Sequence, residues 1–267
     1  MDVNSTTENF TRRALWAQID LDAAAHNMRV IRRHVGPDVR IAAVVKANAY
    51  GHGAVELART FAENGADCFA VSSLDEAVEL RRYAGITKNI FILGHTDGRR
   101  TEELLAYHIE PAVFNLKNDE YFSSEASRLG QTLQVHIAID SGMSRIGFLP
   151  DEESISVIKK ISSLPRIEIR GIFTHFAVAD EKDKTFTHEQ FRRFMWVCSR
   201  LKDEGIHIPI RHCCNSAATL ELPQYHLDMV RPGIIQYGCQ PSHDVSLDGY
   251  DFRPVMSLRC CVAHGKL

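Results

Sequence analysis

Short apolar runs and amphipathic stretches alternate along most of this 267-residue chain. An unbroken apolar run, such as residues 41–45, is typical of a strand buried on both faces, whereas apolar residues at helical spacing indicate surface helices. Eight strand candidates follow one another: 40–46, 68–73, 89–94, 109–115, 133–140, 166–176, 208–215 and 227–232. Helical patterns lie between them, including 54–64, 74–83, 151–162 and 187–204. This order predicts an α/β fold and favours a closed (β/α)8 TIM barrel over a doubly wound sheet.

Two further stretches lie outside this alternation. Residues 14–21 alternate like an extra strand before a helix at 22–34, and residues 252–263 start a strand for which the barrel offers no partner. We therefore divide the chain into an N-terminal tail and extra strand (1–21), a barrel (22–245) and the opening of a C-terminal β domain (246–267). The rest of that domain is expected to be missing, in a truncated or naturally short chain. An unpaired strand there would favour self-association.

Composition narrows the class of protein. A net charge of −3 and a pI near 6.5 leave no general basic face for nucleic acid. No apolar stretch approaches the roughly 18 residues of a membrane span, and the polar first dozen residues do not resemble a secretory signal. Seven cysteines without C-x2-C spacing favour reduced thiols, and no metal site is expected. The chain is therefore expected to be cytoplasmic and to act on a small molecule.

Polar residues recur where the predicted strands end. Lys46 ends the first strand, and the later strands are followed or ended by Arg145, His175, Asn215, Ser216, Arg231 and Gly233. In a (β/α)8 barrel the carboxyl ends of all strands meet on one face, which carries the functional residues. Each residue alone has an ordinary structural explanation, but together they predict one site.

The residue types at this face point to a cofactor. A desolvated lysine such as Lys46 is a nucleophile for an aldehyde, and Tyr50 lies close by in the sequence. The Ser216 hydroxyl and the amides of Gly233 and Ile234 could hold a phosphate. A lysine beside a phosphate cradle indicates pyridoxal 5'-phosphate. Two alternatives remain: an aldolase-type lysine with a sugar phosphate, and Ser216 as a plain helix N-cap.

Five segments carry a resemblance to a known family. They read AVVKANAYGHG (43–53), IDSGMSRIGF (139–148), GIFTHFAVAD (171–180), CNSAA (214–218) and VRPGIIQYG (230–238). In this order they resemble the alanine racemases, the barrel-type (fold type III) pyridoxal phosphate enzymes. The resemblance implies a PLP-dependent isomerase that interconverts L- and D-alanine for D-alanine biosynthesis.

The resemblance also implies roles for single residues. Lys46 would bind the cofactor covalently and act as one of two catalytic bases. Arg231 would face the pyridine nitrogen, Arg145 the phenolic oxygen, and His175 would join the hydrogen-bond network at Arg231. The cofactor cradle would consist of Tyr50, Asn215, Ser216, Gly233, Ile234 and Tyr237.

Two departures from the family pattern matter. The second base, a tyrosine, would come from the C-terminal domain of the partner in a homodimer, and that domain is absent from these residues. Ala138 replaces a lysine that many relatives carbamylate to orient the arginine seven residues later. Alternatives to an alanine racemase are a serine racemase of the same family and a barrel that binds pyridoxal phosphate without turnover.

Overall fold

The computed structural model describes residues 14–262 and 264–265. Nine short parallel strands surround a common axis, and helices cover their outer faces. The strands are β2 (Arg40–Val44), β3 (Cys68–Val71), β4 (Ile90–Ile92), β5 (Ile109–Glu110), β6 (Ala112–Val113), β7 (Leu133–Ala138), β8 (Ile167–Phe173), β9 (Ile210–His212) and β10 (Met229–Val230). All eight predicted barrel strands are present, and the structure is the expected (β/α)8 barrel.

The strands form two parallel sheets that together close the barrel. One has the order β10-β2-β3-β4-β5 and the other β6-β7-β8-β9. The predicted strand 109–115 is split into β5 and β6 because Pro111 lies between them and has no amide hydrogen to donate. The Pro111 carbonyl instead accepts the amide of His136 at 3.0 Å. Between β9 and β10, the Asp228 amide donates to the Arg211 carbonyl at 3.2 Å.

Eight α-helices and one short left-handed turn, which follows Lys46, lie in the described residues. They are α1 (Leu21–Val35), α2 (Lys46–Tyr50), α3 (Ala54–Glu63), α4 (Leu74–Glu79), α5 (Thr101–Ala106), α6 (Leu116–Arg128), α7 (Glu152–Ser162), α8 (Thr185–Asp203) and α9 (Ser216–Glu221). Polar caps begin several of them: Asp20, Ser73 and Asp151 accept the amides of Ala23, Glu76 and Ser154. The predicted helix 74–83 is α4 followed by a π-helical turn, Leu80–Ala84.

Side chains of the strands alternate between two cores. Ile41, Ala43 and Val45 point outward into the large core shared with the helices. Ala42 and Val44 point into the barrel, where they belong to a much smaller apolar cluster. The interior therefore has room for polar side chains as well, and these form part of the site described below.

The remaining strands lie outside the barrel. β1 (Leu15–Ile19) pairs antiparallel with β11 (Met256–Cys260), with Ala17 opposite Leu258. The strand predicted in residues 252–263 is therefore paired, and its partner is the extra strand predicted in residues 14–21. No helix in residues 14–262 and 264–265 is long and apolar enough to cross a membrane.

Candidate active site

A cavity of about 320 Å³ opens at the carboxyl ends of the barrel strands. Eight of the ten residues predicted for the site line it: Lys46, Tyr50, His175, Asn215, Ser216, Arg231, Gly233 and Ile234. They follow β2, β8, β9 and β10, which lie far apart in the sequence. The barrel thus brings these polar groups together as the strand-end rule predicts.

The segment that follows Lys46 is a left-handed turn. Residues 47–50 all have φ between 51° and 55°, a conformation that costs about 1–2 kcal/mol for each residue with a side chain. Two side chains hold the turn. A carboxylate oxygen of Glu76 accepts the Ala47 amide at 2.7 Å, and the side-chain oxygen of Asn48 accepts the Ala54 amide at 2.8 Å. The turn reverses the chain so that Tyr50 faces the same cavity as Lys46.

The surroundings of Lys46 favour a neutral amine. Burial lowers the pKa of the lysine, the positive charge of Arg145 lowers it further, and the charge of Glu76 partly opposes them. More of the amine is therefore unprotonated, and a neutral amine is the nucleophilic form. Arg145 itself is exposed, does not line the cavity and makes no hydrogen bond or ion pair within the described residues.

Ser216, Gly233 and Tyr50 form a compact cradle at one side of the cavity. The Ser216 hydroxyl accepts the Gly233 amide at 2.9 Å. Ser216 is not the N-cap of α9, because Asn215 holds that position and accepts the Ala218 amide at 3.1 Å. A Cβ atom at Gly233 would lie 2.7 Å from the Tyr50 hydroxyl, so a larger residue there would displace the phenol from the cradle. A phenol, a hydroxyl and nearby backbone amides suit the oxygens of a phosphate group.

Arg231 directly follows β10 and is only 3% exposed. Its guanidinium donates to the Thr174 carbonyl at 2.7 Å and lies 2.8 Å from Nδ1 of His212. Burial lowers the pKa of Arg231 to about 10, which leaves it charged at neutral pH. The prediction assigned the hydrogen-bond network at this arginine to His175. In the structure the histidine bonded to Arg231 is His212, whose position inside the barrel was not anticipated.

His175 lies at the cavity without a hydrogen bond to its ring among the described residues. Burial lowers its pKa to about 3, and the positive charges of Arg231, Arg145 and Lys46 contribute. The imidazole is therefore neutral at physiological pH. It can accept or donate a hydrogen bond to a bound molecule, but it adds no charge to the site.

Tyr237 lies behind the cavity and does not line it. Its hydroxyl donates to the Val44 carbonyl at 2.8 Å, and its ring stacks on His52 with a centroid distance of 4.6 Å. Gln236 donates to the same carbonyl at 2.6 Å. These contacts fix the end of β2 and thereby the position of Lys46. Glu76 supports the same segment, and it too was missed by the sequence analysis.

Comparison with known proteins gives a consistent result. A family model described as alanine racemase, N-terminal domain, matches residues 19–241. The chain is 49% identical over 254 residues to the alanine racemase of Clostridium tetani, which covers 95% of this chain and 65% of that protein. It is 46% identical to the alanine racemase of Desulforamulus reducens over 94% of this chain and 68% of that protein. The chain thus spans about 65% of the length of the first of these relatives.

Solved structures agree with the sequence matches. Alanine racemase of Clostridium difficile 630, in complex with cycloserine, matches with a TM-score of 0.92 and 40% identity over 96% of this chain and 70% of that one. Alanine racemase of Bacillus anthracis with bound L-Ala-P matches with a TM-score of 0.85 and 37% identity, covering 92% of this chain and 64% of that one.

Proposed function

The chain belongs to the alanine racemase family, and from this membership we propose that it interconverts L- and D-alanine with pyridoxal 5'-phosphate bound at Lys46. One observation carries the proposal. A lysine with a lowered pKa shares a cavity with the Ser216–Gly233 cradle and with a buried arginine, Arg231. This combination accommodates the aldehyde, the phosphate and the ring nitrogen of that cofactor.

Most of the residues that we assign to the cofactor line one cavity, which supports the proposal. We assign the phosphate to Tyr50, Ser216 and the amides of Gly233 and Ile234, with Asn215 and Tyr237 supporting the cradle. When bound, the cofactor withdraws electrons from the substrate Cα and so acidifies its proton.

The two arginines would each tune that chemistry. Arg231 can only donate a hydrogen bond, so a ring nitrogen facing it must remain an unprotonated acceptor. A weaker electron sink favours rapid return of the proton to Cα and limits side reactions. We assign Arg145 to the phenolic oxygen, and the neutral His175 would offer a hydrogen bond to a molecule bound in the cavity.

Racemisation requires a base on each face of Cα. Lys46 would move the proton on one face. We assign the other face to a tyrosine from the C-terminal domain of a partner subunit, so the proposed active form is a homodimer in the cytoplasm. The L-Ala-P bound to the Bacillus anthracis relative supports alanine as the substrate over serine.

The first test is the visible absorbance of the chain mixed with pyridoxal 5'-phosphate. We expect a band in the wild type that is lost in Lys46→Ala and kept in Lys117→Ala, a control on an exposed position of α6. An assay of D/L-alanine exchange completes the experiment, on a form of the protein that also carries a C-terminal domain of the family to supply the second base. Absence of the band in the wild type would contradict the cofactor assignment. A band without exchange would favour the second candidate, a barrel that binds the cofactor without turnover.

A further inference from the structure

A line of buried polar side chains crosses the barrel interior, starting at Arg231. Nη1 of Arg231 lies 2.8 Å from Nδ1 of His212, and Nε2 of His212 lies 3.0 Å from Nδ1 of His136. Nε2 of His136 lies 2.8 Å from Oε2 of Glu110, on β5. Each of the four residues is at most 5% exposed. We call this set the interior relay.

The chemistry of Arg231 fixes the direction of every hydrogen bond in the interior relay. A guanidinium only donates, so Nδ1 of His212 must accept and its proton must reside on Nε2. That proton is donated to Nδ1 of His136, which leaves the His136 proton on Nε2 and directs it to Glu110. Both imidazoles are therefore neutral. The positive charge of Arg231 and the negative charge of Glu110 are connected through two uncharged rings.

Neighbouring side chains hold the rings in this orientation. Phe91 stacks on His136 with a centroid distance of 4.9 Å and an interplanar angle of 13°. Phe173 stacks on His212 at 5.2 Å and 20°. At the far end, the side-chain amide of Asn89 donates to the second carboxylate oxygen of Glu110. The interior relay is thus fixed by packing as well as by hydrogen bonds.

The charge states agree with this geometry. The Glu110 carboxyl accepts hydrogen bonds from His136 and Asn89, and such hydrogen bonds favour its ionised form. Burial and the charge of Arg231 hold the pKa of His212 well below its ordinary value. Glu110 therefore remains a carboxylate while His212 remains neutral.

We propose that Glu110 and His136 are positioning residues that hold the Arg231 guanidinium at the cavity through His212. Loss of the carboxylate leaves the His136 proton without an acceptor, and a buried polar group without a partner destabilises the arrangement around it. The rings can then change tautomer, and Arg231 loses a fixed acceptor. Where it concerns the cofactor, this inference rests on the proposed function.

The direct test is long-range ¹H–¹⁵N NMR of the histidine side chains in the full chain without cofactor. We expect His136 and His212 in the wild type to be neutral with the proton on Nε2. Glu110→Ala should release His136 from this tautomer, whereas Glu110→Gln, which keeps an oxygen acceptor, should retain it. A proton on Nδ1 of either ring in the wild type would overturn the proposal.

The second test connects the interior relay to the site. The dissociation constant of pyridoxal 5'-phosphate should rise about tenfold in Glu110→Ala, and Glu110→Gln should recover most of the affinity. Glu168→Gln is the matched control, because Glu168 lies on β8 and contacts Gln134 but not the interior relay. Wild-type tautomers and affinity in Glu110→Ala would overturn the proposal. If the wild type binds no cofactor, the proposed function fails, and the tautomers alone decide on the interior relay.

Discussion

Lys46 lies between two charges that act on it in opposite directions. Arg145 lowers the pKa of the lysine and Glu76 raises it. Removing either charge without a large change of shape should therefore shift the pH dependence of Lys46 in a defined direction. The pKa of Lys46 responds to both neighbouring charges because the lysine is only partly exposed. Solvent screens charges less at such a position than at a free surface.

We predict that Glu76→Gln lowers the pH at which Lys46 becomes reactive and that Arg145→Gln raises it. The measurement is the initial rate at which the absorbance band forms with pyridoxal 5'-phosphate, as a function of pH. Glu79→Gln, on the same helix as Glu76, serves as the control. Shifts of both variants in the same direction would show that the two charges do not act on Lys46 as the structure indicates.

The sequence located the residues that end strands but not those inside the barrel or beside the site. Lys46, Ser216 and Arg231 follow apolar runs directly, so the strand-end rule places them together. Glu110, His136 and His212 lie within strands, where their inward direction depends on register. A signal was present, because charged or polar residues inside apolar strands need partners. Which partners they find could not be read without the pairing of the strands.

At the scale of single elements, helix α6 buries an acidic side chain that has no hydrogen-bond partner in the described residues. Asp119 is 1% exposed, and neither of its carboxylate oxygens has a hydrogen-bond partner in the described residues. Burial raises its pKa to about 7. The folded state therefore binds the proton more tightly than the unfolded state. Proton binding by Asp119 therefore stabilises the folded state. This contribution is complete below the unfolded pKa of roughly 4 and is lost as the pH rises toward 7.

We predict that Asp119→Asn raises the free energy of unfolding at pH 8, by on the order of 2 kcal/mol, because the amide cannot ionise. The gain should shrink at pH 5, where the wild-type acid is protonated. Denaturant unfolding at both pH values is the measurement, with Glu120→Asn, at an exposed position of α6, as the control. An equal effect at both pH values would argue against ionisation as the cause.

The apolar runs predicted which elements exist more reliably than where they end. All eight barrel strands lie within the predicted ranges, but the observed strands are shorter, because the runs continue into the turns that carry the site. The run 208–215 illustrates this: only Ile210–His212 pairs as a strand, and Cys213 and Cys214 both approach the Tyr225 carbonyl instead. Apolar character reports burial, and burial continues where strand pairing stops.

For the whole molecule, the β1–β11 pair presents one apolar face. Opposite residues in an antiparallel pair lie on the same side, so Ala17 and Leu258 share a face with Leu15 and Cys260. Leu15 is 56% and Leu258 73% exposed. Such a surface favours contact with a second protein surface, and we assign it to self-association of this chain.

We predict concentration-dependent association in size-exclusion chromatography with light scattering. Leu258→Asp should weaken it about tenfold, since a charge on the apolar face opposes burial. Ser257→Asp is the matched control, because Ser257 neighbours Leu258 in the sequence but lies on the opposite face. A monomer at all concentrations, or equal effects of both substitutions, would refute this prediction.

Closure of the barrel joins two strands that are synthesised far apart in time. β2 pairs with β10 through Arg40 and Met229, and these two strands lead directly to Lys46 and Arg231. During synthesis on the ribosome, β2 can therefore pair with β10 only after most of the chain has emerged. A small molecule that contacts both Lys46 and Arg231 would connect the ends of β2 and β10, the first and last strands of the barrel. Its presence during synthesis would then raise the yield of folded protein, as a pharmacological chaperone does.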